Sequence, residues 1–435
     1  MKDLKIYGAI KKYADNSPYR FHMPAHKGKN FLSGGAKYDV TELPSIDNAA
    51  VVLSAEEDCA KILGAKKVFF LTGGSTSGIL SSLYAVKGLG KKIIINRSAH
   101  KSVYNGLKLF SIEPVIVDDE IEDITPELIS KVFDNEKDAF AALLTYPDYF
   151  GRTFDLKGVK AVCEKKGKIL IIDGAHGNHF KFLNLPYSGS IADISVESLH
   201  KTAYTFNQGA IICVNDEKLI DKVEDGVNTF LTTSPSYPLL ASIEYGIKRQ
   251  ALDYGKTQKV IARLNKAKEE IKVAGLSVLP SEDPLKMTVI FTGSGYDGNE
   301  IAKVLEKHKI FPELAGKNEI LFMLSAATKT REINKLVKTI IKAVKTLGKR
   351  EIQTENAHVL RKREMPYLKA VNGEWEFTPI DKAKGKICAE NFGVVPPCRP
   401  LFTAGELIDA DVSDMISGET FGFYNGNIKT VKVKK

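Results

Sequence analysis

The sequence predicts an α/β protein: a mostly parallel, seven-stranded large domain followed by smaller α+β C-terminal domains. Three observations carry that reading. Between residues 54 and 231, short β-branched runs alternate with helical stretches, the pattern of a doubly wound sheet. The run ILII at 169–172 is apolar at every position, as expected of a parallel strand covered on both faces. The strand-like VFFL at 68–71 runs into a Gly- and Ser-rich turn, TGGSTSG, that opens an apolar helical stretch.

In chain order, residues 1–50 read as a helix followed by an irregular arm. Within the arm, HMPAHKG gathers His22, His26 and Lys27, but its Pro and Gly mark a loop rather than a metal site. Strands are expected at 68–71, 92–96, 114–117, 141–146, 168–173, 192–198 and 210–214. An amphipathic helix near 236–250 leads into a different alternation: helix 257–274, strand 287–292, helix 299–308, strand 319–325 and helix 330–347. The charged stretch GKREIQTEN opens a last segment, in which 381–390 reads helical and 394–408 reads as a turn-rich strand connection. Four parts follow: an arm (1–50), the large domain (51–245), a small α+β domain (246–350) and a C-terminal segment (351–435).

Three stretches carry chemistry. IADISVESLHK, at 191–201, stops a strand on Lys201 shortly before another apolar strand, AIICV. A lysine held between buried strands is desolvated, which lowers its amine pKa and lets it hold an aldehyde as a Schiff base. Taken alone, Lys201 reads rather as a surface lysine at a strand end. Asp173 closes the strand KILIID at the carboxyl end, where open α/β sheets place ligands. Alone it is an N-cap or turn residue before Gly. Ser75 and Thr76, after Gly73 and Gly74, lie at a helix start whose N–H groups form a cup for a phosphate dianion. That turn has neither the G-x-x-x-x-G-K-[ST] nor the G-x-G-x-x-G pattern of nucleotide sites. Together the three make the set that pyridoxal 5'-phosphate (PLP) requires: a phosphate cup, an acidic partner for a pyridinium, and a Schiff-base lysine.

With these pieces in place the sequence resembles the bacterial ornithine/lysine/arginine decarboxylases, which have the fold type I PLP-dependent, aspartate-aminotransferase-like architecture. The matching stretches are FHMPAHKGKN, VTELPSIDN, LTGGSTSGI, NRSAHKSVYNGL, IIDGAHGNHF, VESLHKT and LTTSPSYPLLASIE, in family order over the first 245 residues or so. The resemblance implies PLP as cofactor, bound in the 51–245 domain. It implies that Lys201 forms the Schiff base, Asp173 pairs with the pyridinium, His100 stacks on the ring and His176 lies beside it. Ser198 is implied as a phosphate ligand, and His200 as a contact near the substrate carboxylate or phosphate. Lys201 or His200 is the candidate acid that protonates Cα after CO2 leaves. The turn at 233–236, with Ser234, is implied to reach a neighbouring subunit's phosphate, and the arm to cross to the partner. A homodimer or higher homo-oligomer with shared active sites is therefore expected. Tyr149 lines the same pocket or sits in an ordinary turn.

The closing segment departs from the family's pattern. Pro396, Pro397, Cys398, Arg399 and Pro400 replace a Pro-Pro-Gly-Ile-Pro run, Ala404, Gly405 and Glu406 replace Pro-Gly-Glu, and Asp47 and Asn48 replace two adjacent acids. Arg399 is either a solvated turn residue or a cleft residue that opposes a cationic substrate and favours a carboxylate. Glu42, Asp47 and Glu406 are the candidates to meet a substrate's distal cation. The expected reaction is decarboxylation of arginine, lysine or ornithine. The alternatives are an aminotransferase or lyase acting on another amino acid, and a PLP-binding subunit or regulator without turnover.

At 435 residues the chain exceeds a single core. Its net charge of +9 comes from lysines dispersed along helices, without aromatic interleaving, so a lysine-rich surface is expected rather than nucleic-acid binding. No apolar run reaches membrane-spanning length and the start has no signal-peptide pattern, so a cytoplasmic protein without a membrane role is expected. Cysteines at 59, 163, 213, 388 and 398 show no metal spacing and read as reduced thiols.

Overall fold

A computed structural model describes residues 4–15, 34–40, 48–117, 121–350, 362–395, 399–409 and 419–432. The chain forms two compact units. The first draws on residues 1–86, 153–262 and 324–328, the second on 87–152, 263–323 and 329–435. The four-part division at 50, 245 and 350 stays a proposal about folding segments.

All seven expected strands form: β1 (Lys67–Leu71), β2 (Lys92–Asn96), β3 (Glu113–Val117), β4 (Ala139–Thr145), β5 (Ile169–Asp173), β6 (Ile194–Glu197) and β7 (Ala210–Val214). Four lie in the first unit, in the order β1-β7-β6-β5, and three in the second, in the order β4-β2-β3. The β5–β6, β2–β4 and β2–β3 pairs are parallel. β7 runs antiparallel to both β1 and β6. The burial explains the composition: Ile93, Ile94 and Ile95 of β2 and all five residues of β7 are fully buried, so strands covered on both faces carry apolar side chains throughout.

The helix Gly74–Val86 lies close on the first unit's strands. A Cβ at Gly78 would fall 2.5 Å from Val196 Cγ1 and 2.7 Å from Leu71 Cδ1. Only glycine allows that approach, which brings the start of the helix to the ends of β1 and β6.

In the second unit, β8 (Ser277–Val278), β9 (Lys286–Ile290), β10 (Leu314–Ala315) and β11 (Glu319–Met323) form an antiparallel sheet in the order β10-β11-β9-β8. Helix Thr330–Leu347 buries Ile333, Leu336, Val337, Ile340 and Val344, one stripe at helical spacing. The C-terminal part pairs β12 (Trp375–Pro379) with β16 (Asn427–Val431), and β13 (Phe392–Val395) with β14 (Arg399–Phe402) and β15 (Glu419–Phe421). Its core gathers Ala383, Cys388, Phe392, Phe402, Ile408 and Ile428.

The helix expected at 381–390 does not form. A single 3-10 turn, Ile380–Lys382, is followed by Gly385 at φ +82° and by bridges from Ile387 to Leu407 and Cys388 to Thr430. The left-handed glycine ends the turn, and burying Cys388 favours strand-like pairing over helix.

Among the described residues, no helix is long and apolar enough to cross a membrane, and no group of three or more His, Cys, Asp and Glu is arranged to hold a metal. Cys59, Cys163, Cys213 and Cys388 are free and buried, and Cys398 lies outside the described residues.

Candidate active site

The site in the first unit is built where β5, β6 and β1 end. Asp173 is the last residue of β5 and only 4% exposed. Its Oδ1 accepts from the Ala175 N–H at 3.3 Å. Gly174 N–H donates to Val196 O at 2.8 Å, carrying the β5–β6 pairing one residue past the strand and fixing the turn that holds Ala175 and His176. Every residue from 171 to 180 is buried.

β6 ends at Glu197, and the chain winds directly into the one-turn helix Leu199–Thr202. Lys201 N–H donates to Ser198 O and His200 N–H to Gly209 O, each at 3.2 Å. This winding brings the half-buried Lys201 to the turn after β5, with its Nζ 3.1 Å from His176 Nε2. A neutral imidazole with its lone pair on Nε2 accepts that hydrogen bond from the amine.

The third motif joins through Ser198, which is 1% exposed and donates to Ser75 Oγ at 2.9 Å. Gly74 has φ +72° and donates to Gln208 O at 2.9 Å, so the helix start is tied to the loop after Lys201. A side chain at that φ would be strained. The three stretches singled out in the sequence therefore meet. Thr76 and Ser234 are exposed; Ser234 N–H donates to Thr232 Oγ1 at 3.2 Å.

His200 is half-buried, and its Nδ1 lies 3.2 Å from Gly209 O. Burial holds the ring below the ordinary histidine value and the Lys201 charge acts the same way, against the opposing pull of the Gly209 carbonyl. At neutral pH the ring is uncharged, donating from Nδ1 to that carbonyl and leaving Nε2 a proton acceptor.

His100 belongs to the second unit. It caps helix Lys101–Phe110, its Nδ1 accepting from Ser102 N–H at 3.2 Å and lying 2.8 Å from Ser102 Oγ. The preceding turn is also pinned. Arg97 donates from Nη1 to Glu406 Oε2 at 3.1 Å and from Nη2 to Oε1, Arg363 reaches the same carboxylate at 3.4 Å, and Thr403 N–H donates to it at 2.8 Å. This corrects the reading of Glu406 as a holder of the substrate's cation. Its side chain is 1% exposed and its charge is taken up by two arginines. Burial works against ionisation, but Arg97 outweighs it and holds the carboxyl below the usual range. Tyr149 donates to Glu313 Oε1 at 3.0 Å within the second unit. His22, His26, Lys27, Glu42 and Asp47 lie outside the described residues, and Arg399 is described only by its backbone in β14.

Sequence reasoning missed Glu197. It is fully buried at the end of β6 and accepts from Asn178 Nδ2 at 2.9 Å, from Ser195 Oγ at 3.2 Å and from Ser188 Oγ at 3.4 Å. Burial pushes its carboxyl up to about 7, against the lowering pull of these donors. An acid inside an otherwise strand-forming ISVE run was the available signal, since charged residues are rarely fully buried without a purpose.

The profile of the Orn/Lys/Arg decarboxylase major domain matches residues 5–280. The chain belongs to this family. A protein of Bacillus subtilis (strain 168) named arginine decarboxylase is 28% identical over 449 residues, covering 93% of this chain and 91% of its own. The arginine decarboxylase of Halalkalibacterium halodurans is also 28% identical, over 93% of this chain and 90% of its own. Among solved structures, the constitutive lysine decarboxylase of E. coli superposes with a TM-score of 0.80 at 18% identity, covering 99% of this chain and 82% of that one. The fold of this decarboxylase-family chain is thus the fold type I architecture expected from the sequence.

Proposed function

We propose that this protein removes the α-carboxyl group of a basic amino acid as CO2 and uses pyridoxal 5'-phosphate to do so. The observation that carries the reading is the meeting of Lys201, His176, the Asp173 turn and the Ser75–Ser198 contact at one set of strand ends, in a chain of this decarboxylase family.

The residues present fit the cofactor. Asp173 is a buried carboxylate that receives a single hydrogen bond among the described residues, so it has acceptor capacity for a pyridinium N–H. The hydroxyls of Ser75 and Ser198, with the first-turn amides of helix Gly74–Val86, suit a phosphate dianion. Thr72 Oγ1, just after β1, is buried without a hydrogen-bond partner among the described residues. When bound, PLP accepts the electron pair released as the Cα–carboxylate bond breaks.

The chain's own residues do the rest. Asp173, kept out of solvent, would pair with the pyridinium. Lys201 is the amine that would hold the cofactor's aldehyde and would return a proton to Cα. His176 accepts from Lys201 Nζ and so orients the amine and carries its proton. His200, uncharged, leaves the positive charge of the site to Lys201. The assignments of His100 to the ring face and of Ser234 to a neighbouring subunit's phosphate rest on the family resemblance, as does a homodimer with shared sites, whereas that of Thr76 to the phosphate rests on its place at the helix start. Four buried free thiols support a reducing, cytoplasmic setting. Arginine is the first substrate to test, because relatives that align along more than nine-tenths of this chain are named arginine decarboxylases.

The test is an absorption spectrum of the purified protein, followed by CO2 and amine assays with arginine, lysine and ornithine. A cofactor band lost in Lys201→Ala, with CO2 from one of the three, is the expected result. A band without CO2 from any of them overturns the decarboxylase reading, and no band after PLP reconstitution overturns the cofactor assignment.

A further inference from the structure

Beneath the turn that carries Asp173 and His176 lies a sealed polar cluster. Asn178 and Glu197 are both fully buried, and Ser195 donates to Ser188 Oγ at 2.9 Å as well as to Glu197. Asn178 Nδ2 also lies 3.5 Å from Tyr187 OH, and Tyr187 OH lies 3.9 Å from Cys213 Sγ on β7. Burial pushes both the Tyr187 phenol and the Cys213 thiol up, so these neighbours are neutral. Glu197 thus faces hydroxyls, an amide and a thiol. Glu244 and Glu406, also deeply buried, are instead held by Lys248 and by Arg97.

The cluster lies directly on the turn. A Cβ at Gly174 would fall 2.8 Å from Ser188 Oγ and 3.0 Å from Ser195 Oγ. Along β6 the side chains alternate: Val196 packs toward Gly78 while Ser195 and Glu197 point to the cluster. One strand end therefore carries the acid and, four residues on, Lys201. The facing segment carries Asp173, His176 and, two residues on, Asn178.

We infer that Glu197 and Asn178 are positioning residues whose hydrogen bond ties the Asp173–His176 turn to the strand end bearing Lys201 and sets the His176–Lys201 distance. The catalytic consequence rests on the cofactor reading above, whereas the tie itself does not. Without the tie, the turn keeps its backbone bond from Gly174 to Val196 but loses its side-chain anchor at Asn178, and the distance from His176 to the amine changes.

Lys201 reactivity reads the tie directly. The purified protein, dialysed free of PLP, is treated with limiting acetic anhydride, and acetylation of Lys201 is measured by peptide mass spectrometry relative to exposed Lys218. Glu197→Ala and Asn178→Ala are each expected to change the relative Lys201 rate several-fold. Glu197→Gln, which keeps an acceptor for Asn178, is expected to stay at the wild-type rate. Leu219→Ala, a buried change on helix Glu217–Phe230, controls for general loosening. Wild-type rates in Glu197→Ala and Asn178→Ala overturn the proposal, and so does an equal shift in Leu219→Ala. Should Glu197→Ala fail to fold, Asn178→Ala against Glu197→Gln decides it. A wild-type protein that takes up no PLP would defeat the cofactor reading while leaving this comparison intact.

Discussion

Arg97 grips both carboxylate oxygens of Glu406, although 309 residues separate them in sequence. Their side chains are 6% and 1% exposed, so the pair is held almost entirely out of water. It fastens the C-terminal segment to the turn that precedes His100.

Breaking such a pair from one side leaves a buried charge without its partner, which costs about 3–5 kcal/mol. Arg97→Met and Glu406→Gln are each expected to lose stability on that scale in urea unfolding, and the double variant Arg97→Met/Glu406→Leu is expected to lose less than the sum. The Glu406 carboxyl is depressed below its ordinary 4.5 in the folded state, so its contribution is fully present above 4.5 and lost as pH falls through the folded value. The stability gap between wild type and Glu406→Gln should therefore close in acid; a gap that is constant with pH would show that the charge contributes nothing.

Glu197 has the opposite sign. Its carboxyl is raised from 4.5 to about 7, so the folded state binds this proton more tightly than the unfolded state. The associated stability is present below 4.5 and is lost as pH rises toward 7. The change is about 3 kcal/mol, because each tenfold difference in proton affinity is worth about 1.4 kcal/mol. Glu197→Gln cannot ionise, so its stability relative to wild type should rise between those values in urea unfolding at a series of pH values. A difference independent of pH would mean that Glu197 titrates at its unfolded value.

Asp173→Asn keeps the size and the Ala175 hydrogen bond but removes the carboxylate proposed to pair with the cofactor's pyridinium. Losing one preorganised electrostatic partner of this kind costs roughly 10²–10³-fold in kcat. CO2 release under saturating substrate should fall by that factor while PLP remains bound; a near-wild-type kcat would remove Asp173 from its assigned role.

Gly78→Ala drives a methyl group against Val196 and Leu71 where the helix meets the strands. Overpacking a closed contact costs about 1–3 kcal/mol. Gly255→Ala, in helix Tyr254–Val273, meets nothing within 4 Å and should be neutral or stabilise by about 0.5–1 kcal/mol, because alanine restricts the unfolded chain. Thermal unfolding of the two variants compares them directly.

The strands were legible because β-branched runs such as Ile93–Ile95 state both their conformation and their burial. The reversed direction of β7 was not, since the residues AIICV read alike in either orientation. The stretch 381–390 carries helix-forming lysines and alanines, and local propensity favoured a helix there. Packing of Cys388 into the C-terminal core overrode it. Lys201, Asp173 and Ser75 could be picked out because each follows a recognisable strand or precedes a helix. Glu197 passed unnoticed because nothing local shows that Asn178, 19 residues away, supplies its partner.

Most of the elements, the chain order of the Gly/Ser turn, Asp173 and Lys201, and the family are legible in the residues alone. These are local properties, written in residues within a few positions of one another. Which charges remain available emerges only when the chain folds. Folding removed Glu406 by giving it Arg97 and Arg363, it set His176 beside Lys201, and it buried Glu197 among neutral donors. The strength and protonation of a charged group depend on what desolvates and faces it, and those neighbours are brought in by folding from distant parts of the chain.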